Sequence, residues 1–565
     1  MEKETLFRGR FYSLAREGEL WSAMRVGPDG RIRETYPEGA SLPPRSYLEA
    51  SSSLECDIVE TGGAACVPAF IDTHTHLLAK AILEATATPL FSYAGGRVSP
   101  GDFGELRELL TEGARKQARG LVLGYGLVTM ALTEKRLPRK SELDNWLPGR
   151  SAVVLSLDGH SSAYTSLALR ELKLESLAQD GVLSGKAHDF NMGALTRRIL
   201  SGLRPGSLAR GISACMAEAA RSGVATIHTM EGFDDARFDL SPVLLSLLGP
   251  ALPIRLKLWL QYTKPEKVGV WRGQLSEARA GGCLAWEMDG SVSSRTAAMD
   301  RPFAFEASRG TGKVMDARTG AATETLCGTL YRDVDQAEAL IRPFYRKGYR
   351  CAAHAIGPRA IEALLGAYER LLDGAGDSEN RLRLRIEHFE FPRPDQIERA
   401  GRRKLVLAVQ PGFHWYDERV FGIYPRLLGE ETWRSMNPLR SLMQAGCVVS
   451  LSTDAPVQGF APGPQLEGAV LHPVHAERLS VYEALRAYTW AGAWAGGEES
   501  WRGTLEKGKF ADFAVLDKDP FITPETELHE MTISATWLEG RLVQAPPADL
   551  PGFLAQMLKA TRKKM

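Results

Sequence analysis

At 565 residues the chain exceeds the size at which a single hydrophobic core stops growing, so a large domain with at least one smaller companion is expected. Hydrophobic residues make up 44% and charged residues 24%, and 69 basic side chains balance 69 acidic ones, which excludes a disordered chain and argues against nucleic acid as a partner. The opening Met1-Glu2-Lys3-Glu4-Thr5-Leu6-Phe7 lacks the apolar run of a secretory signal and no stretch is long enough to span a bilayer. The seven cysteines form no C-x-x-C pair. A cytoplasmic protein with reduced thiols and no membrane partner is therefore expected.

In chain order, residues 1–66 read as short β pieces (Phe7 to Leu14, Trp21 to Val26, Asp57 to Glu60) separated by Gly- and Pro-containing turns. From Val67 onward, apolar strand candidates alternate with helical stretches: Val67 to Asp72, Gly223 to His228, Ile254 to Leu260, Cys283 to Met288, Arg350 to His354, Leu382 to His388, Leu405 to Gln410 and Cys447 to Ser452. That alternation predicts an α/β fold, a (β/α)8 TIM-like barrel over residues 67–500 whose strand C-termini form the catalytic face. The gap from His76 to Gly223 is too long for one crossover and predicts an inserted subdomain, about 85–205, over the barrel mouth. A doubly wound sheet fits less well, because no G-x-G-x-x-G follows an early strand. β texture returns over residues 501–547, which are expected to pair with the N-terminal segment in a small β-sandwich domain. Residues 548–565 follow as a C-terminal helix or tail.

The first barrel strand ends in Phe70-Ile71-Asp72-Thr73-His74-Thr75-His76, and an i, i+2 spacing on extended backbone leans both imidazoles to one side. Three more ligand-type residues end later strands: His354, His388 and Asp454. Each taken singly is a hydrogen-bonded core histidine or a helix-capping aspartate; that explanation accounts poorly for all of them terminating apolar strands of one barrel. A divalent ion suits the mixture of imidazole and carboxylate: zinc first, with manganese or iron equally compatible with the donors, and one or two ions in number.

These motifs, together with Asp158-Gly159-His160-Ser161, Asp289-Gly290-Ser291, His354-Ala355-Ile356-Gly357, Ile386-Glu387-His388, Val409-Gln410-Pro411, Ser452-Thr453-Asp454-Ala455-Pro456 and a closing G-x-L-x-x-G-K-x-A-D, resemble the amidohydrolase superfamily. The likeness is to its YtcJ-like branch (amidohydrolase family 3), which contains N-substituted formamide deformylases. The resemblance implies that His74, His76 and Asp454 bind one metal, that His354 and His388 bind a second, and that Asp454 is the catalytic proton carrier. The chain departs from the branch at Ala285, where a bridging carboxylated Lys is usual. Glu287 points to the same strand face and is expected either to replace that bridge as a metal ligand or to bond Arg or backbone. Pro358 replaces a common Asp after His-Ala-x-Gly and is expected to reshape the loop beside His354.

The activity implied is a metal-dependent hydrolase that cleaves a non-peptide C–N bond, of amide or N-substituted formamide type, in a small molecule. The alternatives are a mononuclear deaminase-type enzyme and a catalytically silent barrel used for binding. His160, His228, Gln410 and His414 are candidate substrate-binding residues; for the first three the competing role is core packing or orienting the ligands, and for His414, close after the seventh strand, it is a loop or surface position. His188, His472, His475 and His529 are expected in loops or at the surface. Trp259, Tyr262, Phe413, Trp415 and Tyr416 are expected either in an apolar pocket or in plain packing. A homodimer is the default assembly only because it is the commonest one.

Overall fold

The computed structural model describes residues 3–41, 56–117, 120–178, 180–232, 243–245, 248–269, 279–304, 314–315, 322–323 and 327–564. Eight strands, β1 (Phe70–Thr75), β2 (Val224–Glu231), β3 (Arg255–Leu260), β4 (Arg279–Glu287), β5 (Arg350–Ala355), β6 (Arg385–His388), β7 (Val406–Val409) and β8 (Val448–Leu451), lie in sequential order in one sheet. Every neighbouring pair is parallel. The strands are buried along nearly their whole length, which is why they read as continuous apolar runs rather than alternating ones. The ring closes where β1 meets the end of β8. Thr75 pairs in parallel with Ala455, His76 N–H donates to the Ala455 carbonyl at 2.7 Å, and Thr73 Oγ1 donates to the Leu451 carbonyl at 3.1 Å. The eight expected strands and the expected barrel are thus observed.

β4 is the irregular member. Opposite β5, Gly282 pairs with Ala353 and the next residue in register with His354 is Glu287, so residues 283–286 bulge out of the ladder. Gly281 and Gly282 make the bulge possible: both have positive φ (100° and 123°), and a β-carbon would drive into the Ala352 carbonyl at the first and the Met230 side chain at the second.

The crossover after β5 shows how sequence sets a helix. Pro358 occupies the first turn of the helix Pro358–Ala375, where its missing N–H costs nothing. Ile361, Leu364, Leu365, Tyr368 and Leu372 recur on its buried face, and Gly376 ends it with φ 60°. Pro358 therefore begins that helix rather than distorting the segment that carries His354.

After β1 the chain builds a separate five-stranded sheet from Thr88–Pro89, Val122–Leu127, Ala152–Ser156, Ser161–Tyr164 and Val182–Ser184. Strands from both chain ends join in a seven-stranded sheet. In it Cys56–Pro68 pairs with Glu4–Tyr12 on one side and with Phe513–Leu516 on the other, and then leads directly into β1. Its core packs Phe7 and Phe11 edge-on against Phe513. The C-terminal helix spans Leu550–Lys564; side chains beyond Lys559 lie outside the described residues. Among the described residues no helix is long and apolar enough to cross a membrane, and all seven cysteines are free thiols.

Candidate metal centre

His74 and His76 leave the end of β1 on the same side, as extended backbone requires, with ring centroids 5.3 Å apart. Asp454, just past β8, turns back toward them. Its Oδ1 lies 3.4 Å from His74 Nε2 and 3.5 Å from His76 Nε2. Two donors on one tetrahedral ion with bonds near 2.0–2.1 Å stand about 3.3 Å apart, so these separations match the edge of a coordination polyhedron and exceed the usual N–H···O distance. Burial favours the neutral Asp454 carboxyl, but the two imidazoles hold it well below the usual carboxylate range. Asp454 and His388 both have left-handed backbones (φ 57° and 70°), a strain of order 1 kcal/mol or more that positions their side chains over the strand ends.

His354 and His388 end β5 and β6 and are buried beside the first pair. The His388 ring lies 4.6 Å from that of His354 and 4.8 Å from that of His74. Between them stands a residue that the sequence reading did not single out. Cys283 Sγ, from the β4 bulge, is 3.4 Å from His74 Nε2, 3.7 Å from His354 Nδ1 and 3.9 Å from His388 Nε2. Ala285, at the position of the missing Lys, lies in the same bulge, its carbonyl held by Arg332 Nη2 at 2.7 Å. Glu287 sits to one side: its Oε1 accepts from Leu284 N–H at 2.8 Å, and its carboxylate clusters with His160 and His354. Its buried Oε2 has no hydrogen-bond partner.

Each imidazole is oriented from behind. His74 Nδ1 meets Glu387 Oε2 at 2.5 Å, and that carboxylate is also bound by Arg385 through Nε at 2.5 Å and Nη2 at 2.7 Å. His388 Nδ1 faces Gln410 Oε1 at 2.9 Å, and His354 Nε2 faces the Gly290 carbonyl at 3.2 Å. These acceptors keep the proton on the far nitrogen and aim the other nitrogen's lone pair inward, the usual support of a metal-binding histidine. Gln410 thus lies behind His388, and among the described residues it does not line the cavity below. Asp289 accepts from the backbone N–H groups of Ala298, Ile356 and Gly357 at 2.8–3.0 Å, which pins the turn after His354 and gives the Asp-Gly-Ser motif a physical role.

A cavity of about 500 Å³ opens over His388 and Asp454, and a smaller one of about 160 Å³ reaches His76, Cys283 and Glu287. His160, from the inserted sheet, borders both. Its Nδ1 is 3.1 Å from Asp189 Oδ1; burial alone would lower its pKa, but the Asp189 charge raises it to about 10. Glu390 also borders the larger cavity, buried with Oε2 unpartnered, and burial pushes its carboxyl up to about 8. Of the expected aromatic residues, Phe413 and Tyr416 line the cavity. Trp259 is instead buried under the Arg385 guanidinium at 4.7 Å, and Trp415 donates to Glu467.

Like Gln410, two further substrate-binding candidates are not brought to the cavity. His228 lies behind the cluster of donor side chains, where Arg385 Nη1 donates to its Nδ1 at 3.1 Å, and burial together with Arg385 and Arg279 keeps it neutral. His414 points away and bonds the Met436 carbonyl at 2.8 Å, which His472 also contacts at 2.9 Å. His472 and His188, expected in loops or at the surface, are both buried. Polar partners inside the fold make this tolerable: the Met436 carbonyl for the first, Asp189 Oδ1 at 3.0 Å for the second.

The donor set fits a divalent metal: inward-facing imidazole nitrogens, carboxylates and a thiol, buried or nearly so, lie within 4.8 Å of one another in overlapping groups of three. Comparison with known proteins agrees. A family model described as the amidohydrolase family matches residues 57–544. The protein YtcJ of Bacillus subtilis strain 168 is 25% identical over an alignment covering 95% of this chain and 98% of its own. The N-substituted formamide deformylase of Arthrobacter pascens is 24% identical, covering 88% and 91% respectively. An uncharacterized metal-dependent hydrolase from Pyrococcus horikoshii OT3, of solved structure, has the same fold with a TM-score of 0.66 at 21% identity over 93% of this chain and 99% of that one. The chain belongs to the amidohydrolase family and is a metal-dependent hydrolase built on a (β/α)8 barrel.

Proposed function

We propose that the protein hydrolyses the C–N bond of a small amide or N-substituted formamide whose nitrogen substituent is apolar, using one or two zinc ions held by His74, His76, Asp454, His354 and His388. The observation that carries this reading is the placing of Asp454 Oδ1 at 3.4 and 3.5 Å from two imidazole nitrogens at the floor of a cavity large enough for a small molecule. Bound there, divalent ions supply a water nucleophile near neutral pH and an electrophile for the carbonyl, because coordination brings the pKa of water down to about 7.

The chain's own groups do the rest. Asp454 accepts the proton of the attacking water and delivers it to the departing nitrogen, a role worth about 10²- to 10⁴-fold. His160, held cationic by Asp189, faces the cavity and orients the carbonyl oxygen. Phe91, Tyr125, Phe413, Tyr416 and Phe421 line the wall that receives the apolar substituent. The second group of donors around His354 and His388 supports two ion positions over one. The similarity to a formamide deformylase supports the bond type, and the uniformly free thiols support a cytoplasmic setting.

The test is a panel of N-alkyl and N-aryl formamides and acetamides, assayed by amine release with enzyme that is metal-loaded, chelator-stripped and reconstituted. Turnover that vanishes on stripping and returns with zinc, strongest for bulky apolar N-substituents, is expected. Turnover that survives stripping, or a protein that takes up no metal, sinks the proposal.

A further inference from the structure

We propose that the Cys283 thiolate is a metal ligand, bridging an ion held by His74, His76 and Asp454 and a second ion held by His354 and His388. The inference rests on the metal-dependent reading above and goes further by naming the anion that joins the two positions.

The geometry carries it. A sulfur and an imidazole nitrogen on one tetrahedral ion, with bonds near 2.3 and 2.0–2.1 Å, stand about 3.6 Å apart. Cys283 Sγ lies at 3.4, 3.7 and 3.9 Å from nitrogens of His74, His354 and His388, and it also shares a donor cluster with His76. Hydrogen bonding does not explain this arrangement. Glu387, Gly290 and Gln410 take up the opposite nitrogens of His74, His354 and His388, so three lone pairs converge on a sulfur that as a thiol has a single proton to donate. Buried lone pairs facing one another are unfavourable unless a cation lies between them.

The chain also spends backbone regularity to put the sulfur there. Positive φ at Gly281 and Gly282 starts the bulge, Leu284 (φ 49°) continues it, and Arg332 holds the carbonyls of Ala285 and Glu287. The bulge removes residue 285 from the bridging position and delivers residue 283. Glu287 shares a donor cluster with His160 and His354, but with none of His74, His76, His388 or Asp454 among the described residues, so it reaches one side of the pair only. A bridge must touch both ions and offset their mutual repulsion at the roughly 3.5–4 Å separation of two-metal sites; a thiolate does both. On metal binding the thiol proton leaves to solvent.

The experiment uses the full-length protein reconstituted with cobalt(II) or zinc, so that its readouts are spectroscopic. Cobalt-loaded protein is expected to show a near-ultraviolet thiolate-to-cobalt charge-transfer band. Zinc-edge X-ray absorption on the zinc form should show a sulfur scatterer at about 2.3 Å. In Cys283→Ser and Cys283→Ala the band and the sulfur shell disappear and bound metal falls from about two ions per chain to about one, with far-ultraviolet circular dichroism unchanged. The wild-type spectra alone decide the point if a variant fails to fold. Metal uptake with only nitrogen and oxygen scatterers, or a band that survives in Cys283→Ala, overturns the bridge while leaving the hydrolase reading standing. Absence of any metal uptake by wild type overturns both.

Discussion

Thr453 Oγ1 donates to Asp72 Oδ2 at 2.6 Å, and Thr453 N–H donates to Oδ1 of the same carboxylate at 3.1 Å, tying the strand that presents His74 to the turn that presents Asp454. His74 N–H reaches the same Oδ1 at 3.3 Å, so one buried carboxylate sets the relative placement of two donors that come from opposite ends of the barrel sequence. Thr453→Val keeps the shape and removes one donor, leaving that carboxylate under-satisfied at a cost of about 1–3 kcal/mol. We expect a lowered denaturation midpoint and zinc affinity weakened about tenfold or more, read by competition with a chromophoric chelator. Unchanged affinity would mean that the Asp72 contact does not position the donors.

Glu387 is the second such support. It holds His74 Nδ1 while neutralising Arg385, and all three side chains are fully buried. Glu387→Gln leaves the Arg385 charge without its counterion, a change that costs about 3–5 kcal/mol in buried pairs, and it weakens the carboxylate–histidine support that typically accounts for 10- to 100-fold in metal affinity. Urea denaturation with chelator present measures the first effect and zinc titration the second. A variant of wild-type stability would show that Arg385 finds other acceptors, such as the Thr73 carbonyl that it already contacts at 2.5 Å.

The barrel was readable because its strands are continuous buried runs, and the cluster of His74, His76, His354, His388 and Asp454 was readable because each follows such a run. On a regular strand Cys283 shares the face of 285 and 287 but opens the run, far from the strand end where ligands are expected; the bulge after Gly282 is what brings its sulfur up to the histidines. The adjacent glycines at 281 and 282 were the available signal, since a Gly pair inside a strand often marks a bulge. His228 and His414 show a different limit. β2 runs on to Glu231, so His228 lies inside the strand and meets Arg385 instead of the cavity, and His414 sits in a short helix after β7 that turns its ring to the Met436 carbonyl. Likewise, the Asp189 that holds His160 lies 29 positions away in sequence, and only the folding of the inserted sheet brings the two together.

Asp454→Asn separates ligation from proton transfer. An amide oxygen can still face His74 and His76, but it no longer accepts a proton at neutral pH. We expect kcat to fall by about 10²- to 10⁴-fold on whichever amide the wild type turns over, with some loss of bound metal that added zinc restores. If excess zinc restores kcat to within tenfold of wild type, the proton carrier is another group, and Glu390, unpartnered beside the same cavity, is the next to replace.

The His160–Asp189 pair gives a pH signature. His160 has its pKa raised to about 10 in the folded protein, against about 6.5 unfolded, so its contribution to stability is full below about pH 6.5 and is lost as pH rises through 10. Asp189 is shifted the opposite way, below its ordinary value, by His160 and His188 despite burial, and its contribution is lost only in acid, as pH falls through the lowered value. Asp189 also accepts from Tyr331 Oη at 2.8 Å, which ties the inserted sheet to the segment after β4. Asp189→Asn should cost about 3 kcal/mol or more near neutral pH, as breaking a buried pair does. It should also flatten the decline in thermal midpoint that wild type shows between about pH 6.5 and 10. The measurement is a series of melting curves for both proteins across that range. Parallel profiles would mean that His160 is not held as a cation by Asp189, and the carbonyl-orienting role proposed for it would then fall to the metal site alone.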